Sequence, residues 1–334
     1  MKTFYEPESE SDFATRLSEI QDEVRLVEVV LESSVQSPFE LVETICSHVL
    51  RSGGKRLRPA LTLLCARSVA RDFDEDRARR IGACLEMIHM ATLMHDDVID
   101  HATLRRGRAT ASSEFGNTAA ILCGDVLLSK AMSILAEDGD LALIRSVSRA
   151  VVDLAEGEVW ELDQRGRWDL TPETHFDILR AKTASFIQVC CESGARVAGA
   201  NDRCREALGN YGFHLGMAFQ LVDDLIDYRS EESVSGKPRA GDFREGCATM
   251  PLILLLQRVE ASRKDQVIRW FGNGASEDQI GQLCAWMGEV GAFEAAETLA
   301  REHVERAKSA VQGESLLDGE LLSGIADYVL RRQS

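Results

Sequence analysis

Apolar residues in this chain recur three and four positions apart. Ile81, Leu85, Ile88 and Thr92 make one row, Leu143, Val147 and Val151 another, and Leu208, Tyr211, Leu215 and Phe219 a third. That spacing predicts amphipathic helices, and clear strand alternation between turn signals is missing. Breaks are predicted at Gly53-Gly54, Gly107, Glu137 to Asp140, Gly166 to Pro172, Gly199 to Asp202 and Ser233 to Gly246. The pattern reads as an all-α protein of about ten helices. With no low-complexity linker, residues 1–334 are expected to form a single domain.

Composition narrows the picture. Hydrophobic residues make up 45% of the 334, enough for a sizeable core. A net charge of −17 argues against nucleic acid or an anionic membrane surface as the main partner. An anionic ligand must then be held by local cations or by metal. The nine cysteines are odd in number and form no C-x-x-C pair, which predicts free buried thiols in a reducing compartment. The acidic N-terminus lacks the apolar segment of a signal or transit peptide. Uncharged apolar stretches such as GCATMPLILLLQ fall short of the roughly 20 residues of a membrane span. A cytoplasmic protein without stable membrane insertion is expected.

Two acidic motifs echo one another: HDDVID at 95–100 and VDDLID at 222–227, each closing an apolar helical run. On a helix, Asp96 and Asp100 project together, as do Asp223 and Asp227. Like charges so placed repel, so a counter-charge is needed. Hard divalent cations, magnesium first, take one or two carboxylates plus substrate phosphates.

Basic residues flank both motifs. GGKRLRP at 53–59 places Lys55, Arg56 and Arg58 on a predicted loop leading into a helix, where free amides and positive potential favour phosphate. Arg105, Arg106 and Arg108 follow the first motif, and Lys182-Thr183 and Lys237 flank the second. Arginine forks suit phosphate oxygens. Together the acids and bases suggest a site for two diphosphates.

These motifs resemble the trans-isoprenyl diphosphate synthase (polyprenyl synthetase) family. The resemblance covers about residues 50–255 and rests on GGKRLRP, EMIHMATLMHDDVIDHATLRRGRAT, LRAKTASF, LGMAFQLVDDLIDY and GDFREGCATMPLI, in that order. It implies the isoprenoid-synthase fold, a helical bundle around a deep central cavity, usually a homodimer, with the aspartate motifs facing each other. By position, Lys55, Arg58, His89 and Arg106 match the isopentenyl diphosphate pocket. Asp96, Asp100 and Asp223 match magnesium ligands, a set of three ions once substrate is bound, with Asp97, Asp224 and Asp227 as supporting acids. Arg105, Lys182 and Lys237 match contacts to the allylic diphosphate, and Thr183 and Gln220 match residues near the developing carbocation. The implied chemistry is ionisation, condensation and elimination. Three positions depart from the family pattern: Cys247 replaces a lysine, Gly241 an aspartate and Glu161 a glutamine.

Leu85, His89, Thr92, Asp96 and Asp100 share a helical stripe about 80° wide. Short-chain members of the family place bulky aromatics four or five residues before the first aspartate, where this chain has Thr92 and Ala91. With Ile88 and Leu85 deeper on that face, the resemblance implies a long all-trans product of the quinone side-chain type. A short-chain synthase, a terpene cyclase and a non-catalytic subunit of a heteromeric synthase are the alternatives. Residues 256–334 are expected to be helical without a motif; Arg331-Arg332 are expected to form a frayed, solvated end, with an approach to a diphosphate as the alternative.

Overall fold

The structure, a computed structural model, describes residues 10–229 and 239–332. Apart from one two-stranded hairpin, its regular elements are helical, as the apolar spacing predicts. Among the described residues, sixteen α-helices and one π turn replace the ten expected, because several breaks are only a few residues long. Gly116, with φ 87°, ends a five-residue helix and passes directly into the next.

The chain packs as two compact units. The first takes in Met1–Val147, Cys190–Leu208 and Gly313–Gly324. Its helices include α1 (Glu10–Ser34), α2 (Glu40–Arg51), α3 (Leu57–Val69), α4 (Glu75–Ile99), α5 (Ala111–Phe115) and α6 (Asn117–Asp138). α4 lies at the centre, against α1, α3 and α6. Asp74 caps it by accepting the Arg77 amide at 2.8 Å. Ile81, Leu85, Met87, Ile88 and Ala91 are buried around its circumference, so its core runs beyond the apolar stripe. Glu86 is buried among them and is matched by Arg56 at 3.0 Å. α6 packs closely on α4: a side chain at Gly124 would collide with the His95 ring.

α6 adds to the reading of apolar stretches, which counted uncharged runs alone. It is long and apolar enough to cross a membrane, with an 18-residue window of mean hydropathy 1.7, because that window tolerates isolated charges. Its Lys130 is nevertheless engaged within unit 1, donating to Ser34 O at 2.7 Å and Gln36 O at 2.6 Å.

The second unit takes in Ser148–Val189, Gly209–Gln312 and Ile325–Ser334. It holds most of α7 (Leu141–Gln164) and α8 (Pro172–Leu179), which runs through a π turn at Arg180–Ala184 into α9 (Ser185–Val197). The longest helix, α10 (Asp202–Arg229), lies mostly here. The helix Met250–Arg258 is buried on all sides and packs on Glu277–Glu289 and Ala292–Val311. Two glycines permit close crossings. A Cβ at Gly157 of α7 would meet the Ala181 Cβ at 2.7 Å, and one at Gly216 of α10 would meet the Ala184 Cα at 2.7 Å. α7 and α10 therefore both press on the π turn. All nine cysteines are unbridged, seven of them buried, in keeping with the sequence reading.

Candidate functional site

The first acidic motif occupies the end of α4. Asp96 lies in the last turn, while Asp100 is the C-cap, its amide bonded to Asp96 O at 2.8 Å. The helix has thus ended where the sequence placed two same-face helical carboxylates. The last turn contains no basic residue. Carboxylates there add to the negative end of the helix dipole, which strengthens the demand for a cation. Asp97 points elsewhere: it is 5% exposed and accepts Arg105 Nε at 2.7 Å.

That arginine sits on a hairpin of β1 (Leu104–Arg105) and β2 (Arg108–Ala109). Its two-residue turn, Arg106-Gly107, has both φ values positive, at 53° and 74°. Paired left-handed residues match the twist of a tight hairpin. The turn sends the Arg106 side chain onto Gly53 O, against Gly54, where a Cβ would lie 2.6 Å from Nη1. Arg108 reaches Arg51 O at 2.8 Å.

The basic segment divides into two roles. Arg56 caps α3 in a left-handed conformation and turns inward to Glu28, Glu86 and Leu50 O. Arg58 lies inside the first turn of α3, not on the loop as expected. Burial lowers its basicity, Glu86 supports its charge and Arg106 opposes it. His89 shares this field: burial and then Arg58, Arg106, Arg105 and Arg56 hold it well below the usual histidine value, so it is neutral near pH 7. Lys55 is exposed. Arg58, His89, Arg105 and Arg106 thus form one electrostatic group.

The second motif lies near the end of α10. Asp224 is 2% exposed and pairs with His175 Nε2 at 2.8 Å. Asp227 accepts the Gly241 amide at 3.0 Å and the Asp242 amide at 3.2 Å. Asp223 is partly exposed and pairs with Arg332 Nη2 at 3.0 Å. Thr183 Oγ1 donates to Gln220 Oε1 at 3.2 Å. Lys182, on the π turn, pairs with Glu158 at 3.1 Å and more closely with Glu161. Burial opposes its charge, but the two glutamates prevail and hold Lys182 well above its ordinary value. Lys237 lies outside the described residues.

Around the departures from the family pattern, negative charge prevails. The Cys247 thiol is pushed up to about 12 by burial, then Glu161 and Asp242, so it is an uncharged occupant of the lysine position. Asp242 is held well above the usual carboxylate range by burial, then by Asp227 and Asp224. Sequence reasoning missed His175 and Glu158, since neither carries a motif signal. It also misplaced Arg332, which is 91% buried rather than solvated, because Phe219 and Asp223 both engage it.

Of the expected tail-lining positions, Leu85, Ile88 and Ala91 are fully or nearly fully buried, and Thr92 is partly exposed with its hydroxyl on His89 O at 2.9 Å.

Comparison with known proteins gives a consistent answer. The model of the polyprenyl synthetase family matches residues 39–287. The chain is 33% identical over 296 residues, 89% of its length and 90% of the relative's, to an all-trans-nonaprenyl-diphosphate synthase (geranyl-diphosphate specific) of Rhodobacter capsulatus. It is 30% identical over 324 residues, 96% and 91% of the two chains, to heptaprenyl diphosphate synthase component 2 of Bacillus subtilis. A crystal structure of a Caulobacter crescentus polyprenyl synthase complexed with calcium and isoprenyl diphosphate superposes with TM-score 0.88 at 32% identity, covering 99% of this chain and 100% of that one. The all-α fold, the motifs and these matches converge: the chain belongs to the polyprenyl synthetase family of prenyltransferases.

Proposed function

We propose that the chain condenses an allylic prenyl diphosphate with isopentenyl diphosphate, building a long all-trans polyprenyl diphosphate and releasing diphosphate. The observation that carries this reading is the shared build of the two acid motifs. In each, the second aspartate is buried and clamped by a base, Arg105 on Asp97 and His175 on Asp224. The first, Asp96 or Asp223, stays partly exposed.

Asp96, Asp100 and Asp223 would hold magnesium. Their donors are all carboxylate oxygens. That fits an ion that completes its shell with substrate phosphates and water. Bound there, the metal supplies positive charge that weakens the allylic C–O bond. Arg105 and Lys182 take oxygens of the allylic diphosphate, placing positive charge where the leaving group becomes anionic, a role the resemblance also gives to Lys237. Lys55, Arg58 and Arg106 hold isopentenyl diphosphate, and neutral His89 contributes one N–H donor. Thr183 and Gln220 orient their dipoles near the developing carbocation. The proton lost on elimination passes to the departing diphosphate. No side-chain nucleophile is required.

Small Thr92 and Ala91 support a long product, as does the similarity to a nonaprenyl-diphosphate synthase. Exposed Ile121 and Leu122 on α6 support a homodimer, and the unbridged thiols support a cytoplasmic setting. A second reading, in which the chain is one component of a two-chain synthase, is favoured by its similarity to heptaprenyl diphosphate synthase component 2.

The test is to incubate the purified chain with magnesium, labelled isopentenyl diphosphate and a panel of allylic starters, and to size the products by chromatography. No incorporation by the chain alone refutes the single-chain reading. Hydrocarbon released without isopentenyl diphosphate indicates a cyclase.

A further inference from the structure

Arg332 follows the last helix, Gly319–Arg331, yet its side chain is only 9% exposed. Its Nη2 is 3.0 Å from Asp223 Oδ1, and its guanidinium carbon stands 4.0 Å from the centre of the Phe219 ring. Phe219 and Asp223 are one turn apart on α10, so salt bridge and ring together fix the plane of the guanidinium. Its other two nitrogens are the unexpected part. Among the described residues, Nε and Nη1 are buried and have no hydrogen-bond partner.

Leaving donors of a charged group unpaired in a buried setting is costly. A guanidinium presents its N–H groups as a planar fork that matches two oxygens of a phosphate. Here that fork is immobilised beside the exposed aspartate of the second motif, with its remaining donors unused. Guanidinium and metal would moreover compete for the Asp223 carboxylate.

We propose that Arg332 is a substrate-binding residue with two successive partners. Without substrate it occupies Asp223, in the position of a cation. When a metal-bound diphosphate arrives, Asp223 passes to the metal and the guanidinium fork passes to diphosphate oxygens. The assignment rests on the reading of Asp223 as a metal ligand. It predicts opposite effects on metal and on diphosphate, which a purely structural arginine does not produce.

The test uses the full chain with Arg332→Ala and Arg332→Lys, their folding checked by thermal melts. Manganese binding without diphosphate is followed by electron paramagnetic resonance, and inorganic diphosphate binding in magnesium by calorimetry. Arg332→Ala is expected to bind manganese about three- to tenfold more tightly and diphosphate about tenfold more weakly. Arg332→Lys, which keeps the charge and loses the fork, is expected to bind manganese as the wild type does while remaining weak for diphosphate. Unchanged diphosphate affinity in both variants, or manganese affinity that is unchanged or lower in Arg332→Ala, overturns the proposal. If the wild type condenses allylic and isopentenyl diphosphates while the variants give that result, only the role of Arg332 falls. If the wild type neither condenses them nor binds diphosphate, the functional reading falls with it.

Discussion

Replacing Glu161 by glutamine probes the charge balance at the second motif most directly. Lys182 lies 3.1 Å from Glu158 and closer to Glu161, with 24% of the lysine and 32% of Glu161 exposed. A pair of unit charges 4 Å apart is worth about 4 kcal/mol at an effective dielectric near 20 and about 1 kcal/mol in water. Partial exposure and the ordering of long side chains pull the net value toward the lower figure. A diphosphate that binds Lys182 must win the ammonium from both glutamates. Neutralising Glu161 leaves one competitor and should strengthen allylic binding by about 1 kcal/mol, about fivefold in KM. Lys182 stays protonated throughout, since Glu158 still supports it. The assay is steady-state incorporation of labelled isopentenyl diphosphate, varying the allylic substrate and then isopentenyl diphosphate. The expected result is a lower allylic KM with the isopentenyl KM unchanged. An allylic KM that stays constant or rises would refute the argument, and so would an equal fall for both substrates.

Cys247→Lys should also lower the allylic KM, by restoring a cation where a neutral thiol now sits, and the same titration reads it. Thr92→Phe should shorten the product, read by chromatography of the chains; an unchanged distribution would show that this turn of α4 does not limit length. Glu86→Ala leaves the 6%-exposed Arg56 with Glu28 as its one paired carboxylate beside Leu50 O, and should cost about 3 kcal/mol in urea unfolding. His303 is held down to about 4 by burial and by His214 and Arg306. Because its folded value lies below its unfolded one, the unfolded chain binds more protons as pH falls from about 6.5 to about 4, and stability falls with it. Urea midpoints across that range should show the decline, and His303→Phe should flatten it.

The helical class was legible because rows such as Ile81, Leu85 and Ile88 repeat the helical period over many turns. The paired acids were legible because they recur in one form on apolar helices. What lay beyond reading depends on contacts distant in sequence. His175 meets Asp224 49 residues away, and Arg56 turns to Glu86 rather than outward. The hairpin carries Arg106-Gly107 in place of the Asn-Gly that signals such a turn. Arg332 looked solvated because residues at a chain end usually are; its anchors, Phe219 and Asp223, lie more than a hundred positions earlier.

The π turn at Arg180–Ala184 has a bearing on how this chain tolerates insertions and deletions. A π turn is an α-helix that has absorbed one extra residue. Deleting a single residue there would let α8 run into α9 as an uninterrupted helix, with its backbone bonds intact. The deletion would also turn everything on one side by about 100° relative to the other, carrying Lys182 and Thr183 away from Glu161 and Gln220. A chain so shortened can keep its helix and lose its chemistry. At this one position, the requirements of folding and of function come apart.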